Sequence, residues 1–278
     1  MEIKVSCRLT YVTDAPTAFV FQFEVAKADA QIVKDEILTL PDGARVETYC
    51  DPVTLTRKIR TVLGPGPVEV LYSAAAEIDA STFDPAEVSE FDFLNLPLEY
   101  LEYLSPSRYC PSDTFSDFAH NTFGHQTRGH RRVTAICDWI FDNVKYQAGS
   151  TGPNTTSADV FNGGKGVCRD FAHLGISLCR ASGIPARYAS VYADRLSPQD
   201  FHAVFQAYLN GPKGGEWFSF DASRMSSVDS LVRIAAGRDA ADVAFAWPQR
   251  QVSFDPPEIH VIVPGRSTDE RTSLAVTA

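Results

Sequence analysis

Apolar and polar residues alternate through the first quarter of the chain. Ile3, Val5, Cys7, Leu9 and Tyr11 occupy every second position, and Phe19, Phe21, Phe23 and Val25 repeat the pattern. A period of two sends successive side chains to opposite faces, so each run predicts a half-buried β-strand. Breaks rich in turn formers (Asp14-Ala15-Pro16, Pro41-Asp42-Gly43, Gly64-Pro65-Gly66-Pro67) separate the runs. About six strands are expected between Ile3 and Ile78, folded as an antiparallel sandwich or barrel. This half carries no constellation of reactive side chains, which gives it a supporting role.

From about Ala80 to Gly129 prolines, aromatics and acids mix without a sustained period, the mark of a linker with one short helix over Leu98 to Leu104. The expected division is a β-rich domain over 1–105 and a second domain over 106–278. Past the linker, Val133, Ile136, Cys137, Ile140, Phe141 and Val144 recur at steps of three and four, predicting an amphipathic helix. A shorter helix is expected from Ser157. The tail after Pro264 is polar and reads as frayed.

A third helix is predicted from about Cys168 to Ser182. The glycine-rich turn Gly163-Gly164-Lys165-Gly166 precedes it, Phe171, Gly175, Leu178, Cys179 and Ser182 share a face, Gly183 supplies a left-handed cap, and Pro185 blocks continuation. A strand follows over Ala186 to Ala193. Opposing Leu209 to Gly214 then gives a hairpin with a four-residue loop, Asn210 to Lys213, and that register sets His202 directly across from Asp221.

Composition narrows the functions. The chain has 278 residues, a net charge of −10 and a pI near 5.0, with 44% hydrophobic and 22% charged residues. These values describe a globular protein with no basic face for nucleic acid or anionic membrane. The one basic cluster, Arg128 to Arg132 with His130, reads as a solvated helix start. No run approaches the ~18 apolar residues of a membrane span, and the N-terminus alternates like a strand instead of presenting a signal-peptide core, so a cytoplasmic location is expected. Six scattered cysteines without a C-x-x-C pair read as reduced thiols.

Cys168 stands apart from the others because it falls at a helix N-terminus, where unpaired amides and the helix dipole stabilise a thiolate and can receive an oxyanion. A thiol so placed, with a His–Asp pair encoded separately, is the arrangement of nucleophile, base and orienter used in cysteine catalysis. Cys179, deep on the apolar face, is expected to be inert. His120, His125 and His130 recur every five residues, a spacing that does not converge on a helix, and no cysteine or carboxylate completes a tetrahedral set, so neither metal nor cofactor is expected. His173 is expected to pack within its helix, and Arg169 and Asp170 to support the site from outside the chemistry.

Five separated blocks resemble bacterial transglutaminase-like proteins. They are Ser157-Ala158-Asp159-Val160-Phe161, Gly166 through Ala172, Gly183-Ile184-Pro185-Ala186-Arg187, Phe201-His202-Ala203 and Trp217 through Asp221; Gly237 through Val243 is also similar. The resemblance covers roughly residues 130 to 250. It implies an α+β, papain-related core behind the β-rich N-terminal domain, with Cys168 as nucleophile, His202 as general base and Asp221 as its orienting partner. The expected activity is cleavage of an amide in a protein, peptide or small-molecule substrate through a thioester, as a protease or amidase. Transfer to an amine, as in a true transglutaminase, and a non-catalytic binding role on the same fold are the alternatives.

Overall fold

The computed structural model describes residues 1–28, 30–79 and 83–265; the expected frayed tail, 266–278, lies outside them. The alternating N-terminal runs form β1 (Glu2–Thr13), β2 (Thr17–Phe21), β3 (Gln31–Thr39), β4 (Val46–Cys50), β5 (Arg57–Leu63) and β6 (Gly66–Ile78). Helices α1 (Ser116–Phe123) and α2 (His130–Asn143) follow, then β7 (Lys145–Tyr146), α3 (Ser157–Gly163), β8 (Lys165–Gly166) and α4 (Cys168–Ala181). The chain closes with β9 (Ala186–Tyr192), β10 (Phe201–Gly211), β11 (Gly214–Phe220), β12 (Val232–Gly237), β13 (Ala246–Pro248), β14 (Ser253–Phe254) and β15 (Glu258–Ile262). The short helix expected at Leu98–Leu104 is present as a 3-10 helix.

The N-terminal strands make two antiparallel sheets, β14-β1-β6-β3 with β15 also on β1, and β13-β2-β5-β4. Their inner faces carry the apolar half of each alternation. Ile3, Val5, Leu9, Phe19, Phe21, Ile59 and Val70 are all buried, and Tyr11 packs its ring 5.0 Å from Phe19 across the layer. This is a sandwich, the first of the two architectures the pattern allows. Three of its strands, β13, β14 and β15, come from the far end of the sequence and pair with β2 and β1, so strand pairing crosses residue 105 in both sheets.

A third antiparallel sheet, β11-β10-β9-β12, supports α4. The helix lies so close that a Cβ at Gly175 would stand 2.4 Å from Cε1 of Phe205, which makes glycine a packing requirement there. The Tyr192 hydroxyl donates to the Phe23 carbonyl at 2.8 Å and ties this sheet to the sandwich. The linker is held by Arg180, buried in α4, which donates to the Ser105 carbonyl and Ser107 Oγ at 3.0 Å each.

The hairpin register differs from the expectation. Gly211 pairs with Gly214 and Leu209 with Glu216, so the loop is the two-residue Pro212-Lys213, and the last pair is Phe205 with Phe220. His202 therefore lies beyond the paired ladder, not directly across from Asp221. Glycine on both sides of a two-residue turn allows the tighter reversal. The displacement is two residues, one full side-chain period, so His202 and Asp221 keep the same facing.

Candidate active site

Helix α4 opens at Cys168, directly after Val167, whose extended backbone (φ −115°, ψ 179°) turns the chain into the helix. The Asp170 and Phe171 amides both reach the Val167 carbonyl, at 2.8 and 3.1 Å. The amides of Cys168 and Arg169 precede the first residue that can find an acceptor inside the helix.

Asp170 fixes this turn. Its carboxylate is fully buried and accepts from the Val167 amide at 2.9 Å, Thr151 Oγ1 at 2.5 Å and the Arg169 guanidinium at 3.0 Å. Arg169 in turn donates to the Gly152 carbonyl at 2.8 Å. The pair thus splints the loop 151–152 to the helix start.

Tyr146 was not singled out by the sequence. The parallel pairing of β7 with β8 sets it beside Gly166, two residues before the thiol, and its ring lies 5.8 Å from Phe171. Tyr146 and Cys168 act on each other electrostatically. Burial, reinforced by Cys168, pushes the Tyr146 phenol up to about 12, so at neutral pH it keeps its proton and can donate. Two-residue strands leave no periodic trace, which is why pattern reading passes over it.

His202 and Asp221 are both nearly inaccessible, with side-chain exposures of 1% and 3%, and His202 Nε2 lies 2.9 Å from Asp221 Oδ2. The Asp221 carboxylate also accepts from Ser223 N and Oγ (2.9 and 2.6 Å), Met225 N (3.2 Å) and Ser226 N (3.1 Å). Burial alone would raise its pKa; His202 and these donors outweigh that and hold it below the ordinary carboxylate range. An ionised carboxylate only accepts, so Nε2 carries the proton and Nδ1 is left for Cys168, which lies within hydrogen-bonding reach of the ring. Burial pulls the His202 pKa down, but the charge and hydrogen bond of Asp221, helped by Cys168, push it up to about 10.

The structure thus brings Cys168, His202 and Asp221 together. The other singled-out residues lie elsewhere. Cys179 is wholly buried, and burial drives its thiol pKa far up. His173 is buried in α4, stacked 5.1 Å from Tyr109, and its Nε2 accepts from the Ala240 amide at 3.1 Å; burial lowers its pKa to about 3. Asp239 receives the Tyr109 amide at 3.0 Å, so the segment Gly237 through Val243 acts as a clamp on α4 and the linker. His120 and His125 are exposed, whereas His130 is buried with its ring 4.7 Å from Phe220, so the three do not converge. Arg128 and Arg132 both pair with Glu90, which replaces the expected solvated cluster by an anchored one.

A helix-borne thiol facing a buried His–Asp pair on an antiparallel sheet defines a protein of the papain-like α+β class. A model of the transglutaminase-like superfamily matches residues 116–222. The crystal structure of a "putative cysteine protease" from Cytophaga hutchinsonii is 35% identical, with a TM-score of 0.87, and the match covers 96% of this chain and 92% of that one. The chain belongs to the transglutaminase-like superfamily. An uncharacterised protein of Mycobacterium leprae (strain TN) is 25% identical over 186 residues, which span 63% of this chain and 66% of its own. The periplasmic domain of TgpA from Pseudomonas aeruginosa matches over 80% of this chain and 90% of its own at 15% identity and a TM-score of 0.39. Among the described residues, no helix is long and apolar enough to cross a membrane.

Proposed function

We propose that the protein is a cysteine-dependent acyl-transfer enzyme that cleaves amide bonds through a thioester, as a protease or amidase. The observation that carries this reading is the 2.9 Å contact between His202 Nε2 and Asp221 Oδ2, buried beside the N-terminus of α4.

In this mechanism the Cys168 thiolate attacks the amide carbonyl while His202 holds the proton. Developing charge on the carbonyl oxygen is met at the N-terminus of α4, where the first amides have no acceptor inside the helix. As the tetrahedral species collapses, the C–N bond breaks and His202 gives its proton to the departing amine, leaving an acyl group on sulfur. Water then attacks the thioester, passes a proton to His202, and the C–S bond breaks to release the acid. Asp221 keeps the imidazole in one tautomer and balances its charge through both halves. All six cysteines are free thiols, which supports a reducing, cytoplasmic setting.

The test is the rate of Cys168 alkylation by iodoacetamide, read by peptide mass spectrometry. The expected result is labelling of Cys168 faster than that of the exposed thiol Cys50 at neutral pH, an advantage lost in His202→Ala. Labelling no faster than that of an ordinary thiol in both proteins sinks the reading. Incorporation of a labelled primary amine in place of hydrolysis would convert the assignment to a transglutaminase.

A further inference from the structure

Asp221 orients His202 only while its own donors stay in place, and those donors come from the single loop that follows it. Its Oδ2, the oxygen 2.9 Å from His202 Nε2, also accepts from the Met225 and Ser226 amides at 3.2 and 3.1 Å. Its Oδ1 accepts from Ser223 N and Oγ at 2.9 and 2.6 Å. Turning amides on both sides of residue 224 toward one carboxylate calls for a left-handed residue between them, the backbone form of an anion nest. Residue 224 is an arginine with φ 55°. Glycine adopts that conformation freely, whereas a residue with a Cβ adopts it at a cost.

The arginine side chain provides a hold on a different element. Arg224 Nη2 pairs with Asp138, and its guanidinium carbon lies 4.3 Å from the centre of the Phe141 ring. Asp138 and Phe141 stand three residues apart on α2, hence on one face of that helix. Phe141, which its spacing places in the buried stripe, is exposed instead and offers its ring to the cation. Beyond residue 224 the loop is tied to the connection between β9 and β10, where Ser226 Oγ donates to Asp194 at 3.2 Å. We propose that Arg224 is a positioning residue for the reaction: clamped on α2 by Asp138 and Phe141, it keeps its own backbone left-handed and so keeps the Met225 and Ser226 amides on the oxygen that orients His202. This rests on the acyl-transfer reading above and adds to it a residue that acts through Asp221.

The test releases the clamp from either end. Hydrogen exchange of the Met225 and Ser226 amides is followed by NMR, and iodoacetamide labelling of Cys168 is measured against that of the exposed Cys50 in the same sample. Arg224→Ala is expected to speed exchange of the two amides roughly three- to thirtyfold, the combined strength of an exposed ion pair and a cation–π contact. It is also expected to lower the Cys168 to Cys50 labelling ratio while leaving the α4 amides of Leu174 to Leu178 unchanged. Asp138→Asn, which removes only the ion pair, moves both readouts less and in the same direction, and adds nothing further in the Arg224→Ala background. Arg224→Gly, which needs no clamp to be left-handed, and Arg224→Lys, which keeps the charge, recover both readouts toward the parent. Parent values in Arg224→Ala overturn the proposal, and so does a Gly variant as impaired as the Ala variant. Faster exchange with an unchanged labelling ratio reduces Arg224 to a structural role and overturns it too. In each of these cases an advantage of Cys168 over Cys50 in the parent leaves the acyl-transfer reading intact; if the parent shows no such advantage, that reading fails and the positioning role falls with it.

Discussion

At the scale of single residues, the decisive feature is that a buried histidine keeps its proton. Desolvation favours neutral imidazole, and His130 and His173 obey it, with pKa values lowered to about 4 and about 3. His202 is as inaccessible as they are, yet its pKa rises to about 10, because Asp221 and Cys168 outweigh the desolvation. The stability that follows has a definite sign. A group whose folded pKa lies above its unfolded value of 6.5 stabilises the fold fully below pH 6.5 and loses that contribution as the pH climbs toward 10. The Tm difference between the parent protein and His202→Gln is therefore expected to shrink steadily from pH 6.5 to 10. A difference that stays constant over that window would show that His202 folds as a neutral ring. His202 and Asp221 were legible in the sequence as residue types in the right order, but the size of this shift was not, because it depends on how many donors surround Asp221.

At the scale of elements, α4 and β10 form the platform. The helix was legible from its stripe and its Gly183-Ile184-Pro185 ending, and its start matched because a glycine turn and an apolar period meet at Cys168. The closeness of its approach to the sheet was hidden, since a glycine inside a helix reads only as a weak propensity. Substituting Gly175→Ala sets that propensity, a gain of about 1 kcal/mol, against overpacking of Phe205, a loss of about 1–3 kcal/mol. With the new Cβ only 2.4 Å from a ring carbon, the clash wins, and urea unfolding is expected to show net destabilisation that Phe205→Leu relieves in the double variant. A Gly175→Ala protein as stable as the parent would mean that the ring can swing aside. The hairpin register was missed for a related reason. Counting cannot distinguish a two-residue from a four-residue loop when glycine stands at both 211 and 214, and only the pairing of the strands decides.

At the scale of the whole molecule, the chain returns to its beginning. Strand β1 is covered by β6 on one side and by β14 and β15 on the other, and β13 closes the edge of β2. Ile259 is buried on β15, and Phe254 packs 6.4 Å from Tyr11. A chain ending at residue 245 would leave the twelve-residue β1 and the short β2 each with an open edge, a template for aggregation. Such a truncation is expected to lose its sharp thermal transition and to elute as larger species on gel filtration; a monomer with the parent Tm would show that these strands are dispensable. The sequence by itself determined the N-terminal strands, the helices and the position of Cys168 at a helix start, because each is written in local periods and end signals that act over a few residues. The tertiary structure alone decided the hairpin register, the place of Tyr146 beside Gly166, the splint made by Asp170 and the closure of the sandwich by β13 to β15. These depend on segments brought together across many residues, where geometry and desolvation leave no local pattern to read.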